Sequence, residues 1–354
     1  MINIYDTHTL MGVIQTLYTP KTFWLDKFFG AEMTFETEYI DFDVWVGGRR
    51  MAPFVAPTVQ GKPMLAQGYT TKRFKPAYIK PKDIVDPQRI IKRRAGEALL
   101  GSLSMQARYD AVVAESMMEQ KNQIYRRWEW MACQAIVNGS VTVTGDDYPT
   151  VNVNFGRNPA QTITNSGTSL WTDTVNSNPI TDIENWQIQM QQLTGYVPDG
   201  IIMGLSAYRA YRSHPKVIAQ LNLFQRGTTD IVTQTSLSGD VAQYVGYVGL
   251  NQIPIWVYND IYEDPTSMPN PPGPVVNVPF MDPTKVVLFA STGVQGVRAF
   301  GAILDAKAGY SPASIFPKMW QQEDPSVTYL MSQSAPLMIP TRPDCTLAAK
   351  VTAT

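Results

Sequence analysis

The chain has 354 residues, 44% of them hydrophobic and 17% charged, enough to bury a sizeable core in two or more lobes and too apolar for a disordered chain. Lys and Arg number 29 against 30 Asp and Glu, so the net charge of −1 gives no global pull toward nucleic acid or an anionic membrane. Charge has to be read locally.

The opening MINIYDTHTL lacks the basic and apolar regions of a signal peptide, and no apolar run approaches ~18 residues. The expectation is a soluble chain of cytosolic origin with no membrane partner. Leu10, Val13, Ile14 and Leu17 have helical spacing, and after Pro20 comes an aromatic cluster of Phe23, Trp24, Phe28 and Phe29. This reads as an N-terminal arm making core or subunit contacts, because no polar groups converge beside the rings as a ligand site requires.

Residues 34–46 alternate in hydrophobicity, but the phase slips between Tyr39 and Ile40, which predicts one strand with a bulge there. Residues 68–81 form a second strand candidate, weakened at Pro76 and Pro81. The first carries Glu36, Glu38, Asp41 and Asp43, the second Lys72, Arg73, Lys75 and Lys80, so opposite charges are expected to face each other across a hairpin. Between them, residues 47–67 hold Met51, Phe54, Val55, Met64 and Leu65 among prolines and glycines. So long a connection with so much apolar content points to contact outside its own lobe.

Residues 72–94 are locally basic, with nine Lys or Arg against Asp83 and Asp86. Phosphate binding is one reading. A solvated or inter-subunit surface paired with the acidic strand is the reading preferred, since no nucleic-acid module pattern is present.

Residues 105–138 contain neither Gly nor Pro and are followed by Gly139, which predicts one helix of roughly 50 Å at ~1.5 Å per residue. Tyr109, Val113, Met117, Ile124, Trp128, Met131 and Ala135 share one stripe; Glu115, Glu119, Asn122, Arg126 and Glu129 lie on the side expected to be wet. Gln120 and Arg127 interrupt the stripe, and from Trp128 onward the apolar residues go all round, so that end should enter a core. Cys133 and Cys345 have no metal-ligand spacing and read as reduced packing residues.

Residues 140–155 read as a hairpin turning at Gly145, Asp146 and Asp147; the aspartates could bind a metal but are ordinary turn chemistry. A helix is predicted over 181–193 with a cap in the 177–181 region. Then GIIMG as a buried strand, a helix capped by Ser206, a boundary at His214-Pro215, a second helix, and the strands IPIWVY and KVVLFA make a plausible α/β lobe. SVTYLM and TLAAKV are further strands near the C-terminus.

No catalytic constellation emerges. His8 and His214 are far apart, residues 204–208 lack the second glycine of a nucleophile elbow, and Gly61-Lys62 is followed by Pro, unlike a phosphate loop. The sequence asks for no cofactor or metal. An α/β-lobe hydrolase and a nucleic-acid-binding protein using residues 72–94 stay open as alternatives.

Several segments are informative when taken in order: the run Arg50-Met-Ala-Pro-Phe-Val-Ala-Pro, Gly61-Lys62, Phe74-Lys-Pro-Ala-Tyr-Ile-Lys-Pro, Val85-Asp-Pro, Arg127-Trp-Glu-Trp-Met-Ala, Trp320 with Asp324-Pro325, Gln333-Ser-Ala-Pro-Leu and Pro343-Asp344. Together they resemble the major capsid protein E family of tailed phages, the family of the phage lambda shell protein. The resemblance implies an α+β fold of the Hong Kong 97 type, with an arm at 1–32, an extended E-loop hairpin at 33–85, a peripheral domain at 86–196 built on the 105–138 spine, an axial domain at 197–305, and C-terminal strands at 306–354 returning to both.

It further implies a major head protein, without catalysis, that assembles with itself into pentamers and hexamers of a shell around DNA. A separate scaffolding protein is implied, since no room is left for a scaffold domain before residue 34; a decoration protein and a portal are further partners, and assembly would take place in the host cytoplasm. The inter-subunit candidates are Arg49, Arg50, Met51, Phe54, Val55, Met64 and Leu65 in the loop, Glu36, Glu38, Lys72 and Arg73 on the hairpin, and Gln120 and Arg127 on the spine.

Overall fold

The computed structural model describes residues 10, 14, 17, 21–37, 39–46, 51–61, 68–92, 104–145, 148–224, 241–248, 252–264, 276–324 and 326–353, and every count below is of these residues. The short helix α1 (Trp24–Phe28) leads into strand β1 (Ala31–Thr34). The hairpin strands β2 (Ile40–Val46) and β3 (Gly68–Phe74) follow, then β4 (Lys82–Val85) and helix α2 (Pro87–Ile91).

The spine, α3, spans Met105–Asn138, as the uninterrupted run predicts. Its start is fixed by Ser104, whose side chain accepts from the Ala107 N–H, and its end by Gly139 at φ 67°. Arg157 closes that end: its guanidinium donates to the carbonyls of Ile136 (2.9 Å) and Val137 (3.0 Å), two of the acceptors a helix C-terminus leaves unpaired. A Cβ on residue 139 would lie 2.9 Å from the Arg157 side chain, so glycine is required there for space as well as for its φ. The expected stripe is buried from Val113 onward, with Tyr109 half-buried, and Cys133, Ile136 and Val137 are buried at the C-terminal end. Glu129 departs from the expectation: placed on the wet side by periodicity, it is buried.

Beyond the spine come the hairpin β5 (Ser140–Gly145) and β6 (Tyr148–Asn154), then β7 (Thr162–Thr164) and helix α4 (Pro179–Thr194). The lobe that follows holds β8 (Gly200–Gly204), α5 (Leu205–Ser213), α6 (Pro215–Phe224), β9 (Ala242–Val248), β10 (Ile253–Tyr258), β11 (Ile261–Glu263), β12 (Asn277–Pro279) and β13 (Lys285–Phe289). The chain continues through α7 (Ser291–Val294), β14 (Val297–Phe300), β15 (Phe316–Gln322), β16 (Val327–Gln333), β17 (Pro336–Ile339) and β18 (Thr346–Lys350).

Among the described residues the largest sheet runs β7-β18-β13-β8-β10-β9, mixed in direction, with GIIMG at its buried centre. A three-stranded sheet, β15-β16-β4, lies on the N-terminal half of the spine, and another, β1-β14-β17, packs further along it. Most of the core is one cluster from Leu10 to Val351, because the spine touches β5, β16, β17 and β18, and a small second cluster gathers Ile303, Phe316 and Ala335.

Three local expectations are corrected. The phase slip at Tyr39 and Ile40 is a change of sheet instead of a bulge: β1 pairs in parallel with β14, and Phe35 still donates to the Phe300 carbonyl, whereas Ile40 opens a new ladder opposite Phe74. Ser206 lies inside α5, whose cap position is Gly204. The basic run does not face the acidic strand as a block, because β3 ends at Phe74 and β4 pairs with β16.

Candidate inter-subunit surfaces

The hairpin is held at its root and extends away from it. Ile40, Phe42 and Phe74 are buried, with the Phe42 ring 5.8 Å from that of Phe155. Lys72 Nζ donates to the Asn154 carbonyl at 2.6 Å and passes over Gly156, where φ is 84° and a Cβ would come within 3.0 Å of the ammonium. Burial lowers the Lys72 pKa, in keeping with an ammonium used as an anchor.

One register pair nearer the root, Arg73 grips Asp41 with two bonds, Nε to Oδ1 at 2.7 Å and an Nη to Oδ2 at 2.9 Å. These bonds hold the Asp41 carboxyl below the usual carboxylate range. The hairpin's charge pairing is thus real at register pair Asp41 and Arg73, while Asp43 accepts from the Thr71 hydroxyl. Glu36 is exposed and precedes the paired register. Arg49, Arg50, Met64, Leu65 and Glu38 lie outside the described residues.

Past the ladder, Met51 is 89% and Phe54 103% exposed, with Val55 and Val59 also exposed. Apolar side chains exposed on a projecting loop gain nothing from their own core.

The spine candidates divide. Gln120 is buried, and both ends of its amide bind its own chain: Nε2 donates to the Leu330 carbonyl (2.9 Å) and Oε1 accepts from Ser332 Oγ (2.7 Å). Arg127 lies at a half-open groove of about 350 Å³ with Trp130, Tyr262, Ile79, Pro81 and Gln123 on its walls. Its guanidinium carbon is 5.3 Å from the Trp130 ring centroid, and burial lowers its pKa against the pull of Tyr262 and Asp264.

A second surface is the outer face of β15-β16-β4. Trp320 and Tyr329, cross-strand partners, stack at 5.4 Å, Lys82 Nζ lies 3.9 Å from the Tyr329 ring centroid, and Ile84 is exposed. Within the basic run, then, Arg73 pairs with an acid, Lys72 with a carbonyl and Lys82 with aromatic rings.

Sequence reasoning missed three buried cations and acids. Lys121 donates to the carbonyls of Ile14 (2.9 Å) and Leu17 (2.7 Å), Arg157 closes the spine, and Glu129 binds the start of α1. For Glu129 a signal existed: it stands between Trp128 and Trp130, where the helix is otherwise apolar on every side. His214 is buried, its Nδ1 facing the Lys216 N–H and its Nε2 near the Ser177 hydroxyl, so it organises a turn.

The model of the family described as phage major capsid protein E matches residues 6–351. The major capsid protein of Escherichia phage lambda is 27% identical, the match covering 97% of this chain and 98% of that protein. That of Escherichia phage N15 is 26% identical over 99% and 100%. The crystal structure of a prophage capsid protein from E. coli CFT073 superposes with a TM-score of 0.72 at 24% identity, covering 98% of this chain and 99% of that one. The mature capsid of bacteriophage PhiM1 gives a TM-score of 0.50 at 12% identity over 96% and 90%.

Proposed function

The chain belongs to the phage major capsid protein E family, the head proteins of lambda-like tailed phages with the Hong Kong 97 fold, and from that premise we propose how its surfaces build the shell. Each hairpin lies across a neighbouring copy and buries its apolar tip there. The observation that carries this is the exposure of Met51 and Phe54 past the end of a ladder that is anchored at its root. Arg49, Arg50, Val55, Met64 and Leu65 belong to the same contact, and Lys72 and Arg73 hold the hairpin at the angle it needs. Arg127 and Trp130, on an open groove, are the acceptor side; Gln120 serves its own chain instead.

Contacts of this kind are heterologous, one patch meeting a different patch, and symmetry closes them into pentamers and hexamers rather than a filament. The proposed division is an arm at 1–32, a hairpin at 33–85, a peripheral domain at 86–196, an axial domain at 197–305 and C-terminal strands at 306–354. The last segment is shared out, since β15 and β16 lie on the spine while β18 sits in the large sheet. Scaffold, decoration and portal proteins and packaged DNA are the expected partners, with assembly in the host cytoplasm. The matches lend no support to a hydrolase or to a nucleic-acid-binding role for residues 72–94.

The test is deletion of residues 47–67, which removes the tip and leaves the root. Soluble monomers or capsomers without shells are expected in electron micrographs; particles of normal size would overturn the proposal.

A further inference from the structure

Glu129 is 4% exposed, yet its carboxylate is fully engaged. Oε1 accepts from the N–H groups of Phe23 (2.9 Å) and Trp24 (2.8 Å), and Oε2 from that of Leu25 (3.0 Å). These are donors that the start of a helix leaves unpaired, and α1 supplies no side-chain cap of its own. A side chain more than a hundred residues away therefore fastens the N-terminal segment to the spine.

The groups around this carboxylate are acids. On α1, Asp26 adds like charge; one turn along the spine stands the thiol of Cys133; on β10, Tyr258 packs its ring 5.5 Å from those of both Phe23 and Trp24 and feels the Glu129 charge. The nearby cations are directed elsewhere. Lys27 points its ammonium at the Trp256 ring, 3.9 Å from the centroid, Lys285 acts on Cys133, and Arg126 acts on Asp260. A buried acid facing acids favours its neutral form, and the three N–H bonds favour its charged form. Burial prevails, pushing the Glu129 pKa up to about 7.

We propose that Glu129 is a proton-linked latch on the N-terminal segment: neutral, it keeps α1 seated on the spine, and ionised, it loosens that seat. The direction follows from comparing the closed and open latch. Once α1 lifts away, the carboxyl meets water and returns to its ordinary 4.5, so the closed form holds the proton more tightly. Acid therefore closes the latch. Rising pH opens it progressively between 4.5 and about 7, by roughly 300-fold across that window at tenfold per unit, with no further change above it.

Hydrogen exchange with mass spectrometry on the full-length protein from pH 5 to 8.5, corrected for intrinsic exchange rates, tests this. Protection of the peptide covering residues 21–30 should fall as pH rises toward 7, while a peptide within the spine, residues 112–125, holds constant. Glu129→Gln, neutral at every pH, should abolish the pH dependence. Asp26→Asn, which removes the like charge from an exposed position and keeps the three N–H bonds, should move the midpoint to lower pH, and it serves where Glu129→Gln does not fold. Uniform protection across pH in the wild type would overturn the latch. So would an unchanged pH dependence in Glu129→Gln, an unshifted midpoint in Asp26→Asn, or loss of protection in both peptides together.

Discussion

Ser332 Oγ donates to Gln120 Oε1 at 2.7 Å, and the same amide returns a bond of 2.9 Å to the Leu330 carbonyl, so one side chain locks the spine to strand β16. Replacing Gln120 by Leu leaves a buried hydroxyl and a buried carbonyl without this partner. The expected loss is about 1–3 kcal/mol, since an orphaned buried polar group forfeits its hydration with nothing in return. Urea denaturation of the soluble variant against wild type measures it.

The hairpin should depend on its root far more than on its charges. Phe74→Ala empties a buried site and is expected to cost about 3–5 kcal/mol locally, releasing the hairpin to protease. Glu36→Lys, outside the paired register, should leave the cleavage rate unchanged. Arg73→Ala removes an exposed pair with Asp41 and should raise cleavage only slightly. Limited proteolysis with mapped cut sites ranks the three.

Where the tip lands can be read by cross-linking. Phe54→Cys with Gln123→Cys places thiols on the tip and on the groove beside Arg127, and oxidised shells should give a ladder of covalent oligomers on a non-reducing gel. The native thiols Cys133 and Cys345 are buried and do not compete. Phe54→Cys with Ile84→Cys is the counter-case: a ladder only there moves the contact to the sheet of Trp320 and Tyr329, while the hairpin would still lie on a neighbour.

Gly139→Ala should destabilise the spine's C-terminal end twice over, through a positive φ and through collision with Arg157. Residues forced into such backbone regions cost about 1–3 kcal/mol each. A lowered Tm in calorimetry is expected, and Gly139→Asn, which tolerates the left-handed conformation better, should match Ala because it meets the same guanidinium.

The spine was legible because everything that defines it is local: no breaker from Met105 to Asn138, a cap before and a glycine after. The hairpin could be read from alternation and charge, and the pair Asp41 with Arg73 follows from it. The partner of Glu129 could not, since periodicity measures which way a residue points and not which distant backbone N–H groups wait there. The break at Tyr39 and Ile40 was visible only as a slipped phase, and a bulge and a change of sheet leave the same trace until the pairing of β1 with β14 is known. Gln120 and Arg127 looked alike as polar residues on an apolar stripe, yet one is satisfied by β16 and the other opens onto a groove.

Strand β18 lies inside the large sheet, between β7 and β13, two segments that stand far from each other in the chain. With β18 out of place β13 and β7 lose their common neighbour, and the core that includes Leu347 and Ala349 is open. The sheet therefore cannot close from local contacts alone: β7 reaches its other strands through β18, so this edge of the lobe forms only after a pairing between segments distant in sequence, the kind of contact that makes folding slow.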